Sequence, residues 1–214
     1  MIRHIVAYKG GTGKTHLAIL MAHLLPDPVV IEHVTAADAA KAFPTAITMP
    51  FTGEPDQDLL TLEAVIGAAA DHQNIVINTP PAKELTAIAV HADLLKAMGE
   101  QFGHETEVYL VVDETPIHDR REIQGLIETI GPSMHTVFNE KHGRSDPGQW
   151  PFAEAMLPLI FGAGMTAHTL PPMPHRDIGA FLRDRKTVYP LMVRTLAKRY
   201  LLACQEALFN QPAN

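Results

Sequence analysis

The residues best suited to chemistry stand together at Lys9-Gly10-Gly11-Thr12-Gly13-Lys14-Thr15. They follow the apolar run Ile2 to Tyr8 and precede a helical pattern of Leu17, Leu20, Met21 and Leu24. Strand, glycine loop and helix in that order make an anion cradle. Consecutive N–H groups around Gly10, Gly11, Thr12 and Gly13 can face phosphate oxygens, and the dipole of the following helix adds positive potential at its first turn. Lys14 is placed to reach the outer phosphates of a nucleotide, and the Thr15 hydroxyl to sit on Mg²⁺. His16, next in the chain, completes the expected nucleotide-binding stretch.

The general phosphate-loop pattern asks for glycine at position 8, where this chain has Tyr8, and Lys9 stands before the glycine pair instead. The form K-G-G-x-G-K-[ST] resembles the deviant phosphate loop of the ParA/MinD family of ATPases. The resemblance implies an ATP-dependent homodimer in which Lys9 reaches across to the phosphates of the second copy and acts beside Lys14. Two later segments depart from the family's pattern. Its second strand ends Asp-x-Asp, the second aspartate helping to place the attacking water; here the matching residues are Glu32 and Val34. Asp38 either substitutes from the next loop or opens a helix. The family's metal-side segment reads Asp-Thr-Pro-Pro, and here it is Asn78-Thr79-Pro80-Pro81. The Asn78 amide can accept from a metal-bound water but brings no negative charge, so metal binding is expected to be weakened. Asn139, closing the strand-like run from His135, matches a family position that recognises the adenine edge; as a residue type it fits a turn equally well.

The elements that must position these groups alternate along the chain. A helix is expected over 14–25 and stops at Pro26; strands follow over 28–34 and, briefly, 47–51, then a helix over 59–70. Residues 74–78 read as a strand, 82–101 as a helix, 107–112 as a strand, and 116–130 as a helix stopped by Gly131-Pro132. After the strand at 135–139 come a loop over 143–151, a short helix over 152–157 cut by Pro158, and a strand over 166–170. Helices over 176–185 and 189–209 close the chain, the last with Val193, Ala197, Tyr200, Cys204 and Leu208 facing the core. This order predicts one α/β domain over 1–214, a mostly parallel sheet with helices on both faces, and ligands at the carboxyl ends of strands.

Length and composition agree. A chain of 214 residues, 46% hydrophobic, suits one domain with a sizeable core. No apolar run approaches about 18 residues, so no membrane span is expected. The single cysteine, Cys204, excludes an intramolecular disulfide, disfavours a protein-held iron–sulfur cluster and fits a cytoplasmic setting. Twelve histidines form no metal-ligand spacing, and no Gly-x-Ser-x-Gly elbow occurs. Net charge is −7, unevenly placed: residues 176–199 carry seven Lys/Arg against two Asp/Glu on an otherwise acidic chain. Arg183, Arg185, Lys186, Arg194 and Lys198 are therefore candidate DNA contacts, with a solvated helix face as the equal alternative.

Within the family the chain is most similar to small ATPases of conjugative plasmids, the TraL/StbB type, through Gly103-His104-Glu105 and Phe181-Leu182-Arg183-Asp184-Arg185. The resemblance implies an ATP-binding, slowly hydrolysing switch in plasmid DNA partition, positioning or conjugative transfer. It also implies a plasmid-encoded partner protein and contact with nonspecific DNA; membrane contact is not expected. The alternatives are a nucleotide-dependent interaction module without hydrolysis, and a small-molecule enzyme of the dethiobiotin-synthetase kind.

Overall fold

Apolar runs rich in Val and Ile become buried strands, as their β-branched side chains favour. The computed structural model describes residues 1–7, 11–32, 42–43, 45–49, 52, 54–79, 85–113, 120–139, 150–184 and 187–210. Its strands are β1 (Ile2–Val6), β2 (Pro28–Glu32), β3 (Ile47–Thr48), β4 (Asn74–Asn78), β5 (Thr106–Val112), β6 (Met134–Asn139) and β7 (Thr166–Leu170). They make one seven-stranded sheet in the order β3-β2-β4-β1-β5-β6-β7, every neighbouring pair parallel. The helices are α1 (Lys14–Leu24), α2 (Pro55–Ala68), α3 (Leu85–Gln101), α4 (Arg120–Ile130), α5 (Pro151–Gly162), α6 (Arg176–Arg183) and α7 (Leu191–Phe209).

Side-chain alternation along the strands divides the core in two. On one face Ile5, Val30, Val76, Val111 and Val137 pack with Leu17, Leu20, Leu182 and Ala197 of α1, α6 and α7. On the other, Val6, Leu110 and Phe138 meet Ile127 of α4 and Ile160 of α5, while Ile31, Ile75 and Ile77 meet Leu62 and Ile66 of α2 and Leu95 of α3. Covering both faces is what lets the strands read as unbroken apolar runs. The expected core positions of the last helix, Val193, Ala197, Tyr200, Cys204 and Leu208, are its buried residues.

Two helices differ most from expectation, while the last two are each two residues shorter than expected, ending at Arg183 and beginning at Leu191. The spacing predicts that α5 ends before Pro158, yet it continues to Gly162 with that proline inside. An interior proline costs about 3 kcal/mol and a backbone hydrogen bond. Full burial of Ile160 and partial burial of Leu157 and Leu159 in the second core offset that loss. Helix α2 begins four residues before the expected Leu59, at Pro55. Proline has no N–H to lose in a first turn, and Asp56 and Asp58 favour the positive end of the dipole. Asp58 also accepts from the Thr52 backbone and hydroxyl at 3.0 and 2.6 Å, fixing the entry.

Chain order places the site. From β1 the chain passes over to β2 and β3, returns through β4 between β2 and β1, and crosses to β5 on the far side. The crevice above such a reversal opens at the carboxyl ends of β1 and β4, where a parallel α/β sheet binds its ligands.

Candidate functional site

Gly13 is the N-cap of α1 and adopts a left-handed conformation, φ 106°, as does Gly11 at φ 78°. No side chain caps this helix, and its first turn has no acidic residue. Its leading N–H groups thus keep their positive potential for an external anion. A Cβ on Gly13 would fall on the Asn139 side chain, whereas one on Gly11 would meet open space. The loop is therefore tight against the protein at Gly13 and open at Gly11. Tyr8, Lys9 and Gly10 lie outside the described residues, so the expected reach of Lys9 to a second copy falls outside them too.

Lys14 opens α1 and is 7% exposed. Burial lowers its pKa to about 8, because desolvation disfavours the ammonium when no anion faces it. A polyphosphate bound here would return that lost solvation. Thr12 is 3% exposed, and its Oγ1 has no hydrogen-bond partner among the described residues.

Register brings the other candidates to the same rim. Asn78 ends β4 opposite Ile5 of β1 on one side and Glu32 of β2 on the other. Its Nδ2 donates to Thr15 Oγ1 at 3.2 Å and to Glu32 Oε1 at 3.4 Å. Asn78 and Glu32 are both fully buried, and Asn78 Oδ1 has no partner among the described residues. Thr79 follows and donates its hydroxyl to the Ile5 carbonyl at 3.2 Å, tying the β4 exit to β1. Val34, Asp38 and the proline pair after Thr79 fall outside the described residues.

Asn139 ends β6, and its Nδ2 donates to the Thr12 carbonyl at 2.6 Å. A carbonyl oxygen only accepts, so this contact fixes which end of the amide faces the loop. One amide hydrogen is committed to the loop; Oδ1 and the second hydrogen are left for another partner. Sequence reasoning did not single out Asp113, which follows β5 and is 5% exposed. Its one signal was a carboxylate closing a buried strand next in the sheet to β1.

His16 turns away from this rim. Its Nε2 shares a 2.9 Å hydrogen bond with Tyr200 Oη of α7, and burial, aided by Arg183, pushes its pKa down to about 4. Only its backbone is left for a phosphate. One face of α1 also carries His23, whose Nε2 donates to the Leu182 carbonyl at 3.1 Å. At the opposite edge of the sheet His135 stacks on Tyr109, and His168 Nδ1 donates to the Ala207 carbonyl at 3.0 Å. Among the described residues, no group of three His, Cys, Asp or Glu side chains could hold a metal ion. The basic C-terminal candidates separate: Arg183, Arg194 and Lys198 are exposed, while Arg185 and Lys186 lie outside the described residues. Gly103-His104 closes α3, with Gly103 at φ 74° and His104 N–H bonded to the Gly99 carbonyl at 2.7 Å.

Comparison with solved structures places this geometry. A protein assigned to plasmid partition in Borrelia burgdorferi B31, solved with AMPPNP bound, superposes over 98% of both chains with a TM-score of 0.53 at 12% identity. The two proteins share a fold. The signal recognition particle receptor FtsY of Elizabethkingia anophelis aligns over 94% of this chain and 65% of its own, with a TM-score of 0.49 and 10% identity. No protein-family profile and no curated protein sequence matches the chain. Within this fold, the start of α1 and the ends of β2, β4 and β6 lie at the carboxyl edge of the sheet, where the sequence places its candidate chemistry. Among the described residues no helix is long and apolar enough to cross a membrane.

Proposed function

We propose that this chain is an ATP-binding, slowly hydrolysing switch that dimerises on ATP and serves plasmid DNA partition, positioning or conjugative transfer. The observation that carries the reading is the uncapped, glycine-framed start of α1 with the buried Lys14 beside it. Lys14 and the loop N–H groups hold the phosphates and stabilise charge on the transferred phosphoryl group, positioning and electrostatics being most of such catalysis. Lys9 supplies a second cation from the other copy. Asn139, held against Thr12, keeps donor and acceptor capacity for the adenine edge. Thr15, Asn78 and Glu32 suit Mg²⁺: a buried amide oxygen without a partner can accept from a metal-bound water, and the carboxylate supplies charge. Mg²⁺ bound there would neutralise phosphate charge.

A partition protein that holds AMPPNP and shares the whole fold supports the plasmid setting. The exposed Arg183, Arg194 and Lys198 support direct DNA contact, and the conjugative TraL/StbB type with its plasmid-encoded partner remains part of this proposal. The test is ATP binding by the purified protein followed by calorimetry. Binding in the micromolar range, lost in Lys14→Ala, is expected; no binding, or binding indifferent to that change, rejects the reading. A second reading, a nucleotide-dependent interaction module without turnover, is favoured by the neutral Asn78 at the end of β4. Steady phosphate release above a Lys14→Ala control excludes it.

A further inference from the structure

Away from the nucleotide rim, the amino-end side of the sheet brings two histidine rings edge to edge. His135 Nδ1 of β6 lies 3.2 Å from His168 Nε2 of β7, with ring centroids 5.4 Å apart. The Thr166 hydroxyl touches both nitrogens. Each ring turns its other nitrogen to an acceptor. His168 Nδ1 donates to the Ala207 carbonyl at 3.0 Å, one of the last carbonyls of α7, which have no partner within the helix. His135 Nε2 lies 3.7 Å from Glu107 Oε1. The second carboxylate oxygen accepts from Tyr109 Oη at 3.0 Å and faces Arg3 Nε at 3.4 Å.

The hydrogen count favours a cation at His135. With its hydrogen on Nδ1, His168 presents a lone pair at Nε2. A neutral His135 has one hydrogen to give. On Nε2 it serves Glu107 and leaves two lone pairs facing each other, with the single Thr166 hydrogen for both. On Nδ1 it turns a lone pair towards the carboxylate. Only the imidazolium serves Glu107 and His168 together. Its charge also stacks on Tyr109, whose ring is parallel to within 9° at a centroid distance of 4.5 Å. Among the described residues no group of three His, Cys, Asp or Glu side chains could hold a metal in place of that proton.

We propose that His135 and His168 form a one-proton clamp fastening the end of α7 to β7, in which an imidazolium at 135, countered by Glu107, donates to a neutral His168, and which a second proton opens. A hydrogen on His168 Nε2 would meet the hydrogen on His135 Nδ1, two cations in contact, so the rings part and His168 leaves Ala207. Burial holds His168 below the usual histidine range; the Ala207 carbonyl and Glu107 oppose that shift, and His135 adds to it. The charged and titratable groups around the pair are Arg3 of β1 and Glu107 and Tyr109 of β5, while α7 presents the Ala207 carbonyl. The buried Tyr200 and Cys204 of α7 hydrogen-bond to each other further along the helix. Because α7 also carries the exposed Arg194 and Lys198, the clamp makes the seating of that basic helix sensitive to acid. It does not depend on nucleotide binding.

The experiment follows the histidine nitrogens of the ¹⁵N-labelled full chain by long-range ¹H–¹⁵N correlation as pH falls, in EDTA, together with amide protection over 207–210. His168 is expected as the Nδ1–H tautomer. His135 should protonate first and His168 in a separate, later step, with protection over 207–210 dropping at least about tenfold in that second step. An Nε2–H tautomer at His168, simultaneous protonation of the two rings, or protection unmoved by the second step overturns the proposal. Glu107→Gln, close in shape, should move the His135 step down by about one pH unit or more, the usual effect of removing so near an opposite charge; an unmoved step overturns it as well. His168→Asn keeps an N–H for Ala207 but cannot titrate, so protection over 207–210 should lose the acid step seen in the parent, and an unchanged step counts against the clamp. Should either variant fail to fold, the tautomer and the order of protonation in the parent decide alone.

Discussion

Asn139 at the end of β6 is bonded to the carbonyl of Thr12 in the loop that follows β1, two strands away. The same amide occupies the space that any side chain at position 13 would need. Loop shape and a candidate base-recognition residue are thereby set by one contact.

Gly13→Ala is therefore expected to fail twice. Its φ of 106° is strained for any L side chain, at a cost of about 1–3 kcal/mol, and its Cβ displaces the Asn139 amide. Calorimetry should show ATP affinity reduced by more than about tenfold, with a lowered melting temperature. Asn139→Ala relieves the clash but not the strain, so adding it should restore only part of the loss.

Phosphate binding and the Lys14 proton should be linked. The free protein holds Lys14 with a pKa of about 8 because of burial. Phosphate oxygens at hydrogen-bond distance favour the ammonium and raise that value, so binding near pH 8–9 takes up a proton and affinity falls as pH rises through 8. Titrations in buffers of different ionisation enthalpy measure the uptake; a heat independent of buffer would contradict it.

Acid should weaken the contact between α1 and α7. Burial and Arg183 lower His16 from 6.5 to about 4. The unfolded chain takes up this proton first as pH falls, so the stability contributed by neutral His16 is present above pH 6.5 and lost towards pH 4. The slope from this group approaches about 1.4 kcal/mol per pH unit. Denaturant melts should show that window narrowed in His16→Gln. Tyr200→Phe should cost about 1–3 kcal/mol by leaving the His16 nitrogen without its partner.

DNA contact through the exposed face of α7 predicts strong salt dependence. Arg194 and Lys198 stand one turn apart, exposed beside the buried stripe of Val193 and Ala197. Fluorescence anisotropy with nonspecific duplex should show affinity dropping by more than about tenfold between 50 and 200 mM salt. Arg194→Glu with Lys198→Glu should reduce both the affinity and the salt slope.

The strand–helix order, and the strand ends that carry the candidate site, were legible in the sequence. Continuous apolar runs mean strands covered on both faces, and polar residues closing them mark the ligand rim, so Glu32, Asn78 and Asn139 were legible as strand ends. The glycine spacing before Lys14 was legible because left-handed backbone favours glycine, and Gly11 and Gly13 both adopt it. The last helix was legible from its periodicity alone. The path of α5 through Pro158 was not, because local propensity there is overridden by burial of Ile160. Nor was the Tyr200 partner of His16, which α7 supplies 184 residues on. Only tertiary structure decided that Asn78 faces Glu32 and that Asn139 grips Thr12. Both pairings depend on strand order and register, which long-range packing sets and no local pattern encodes.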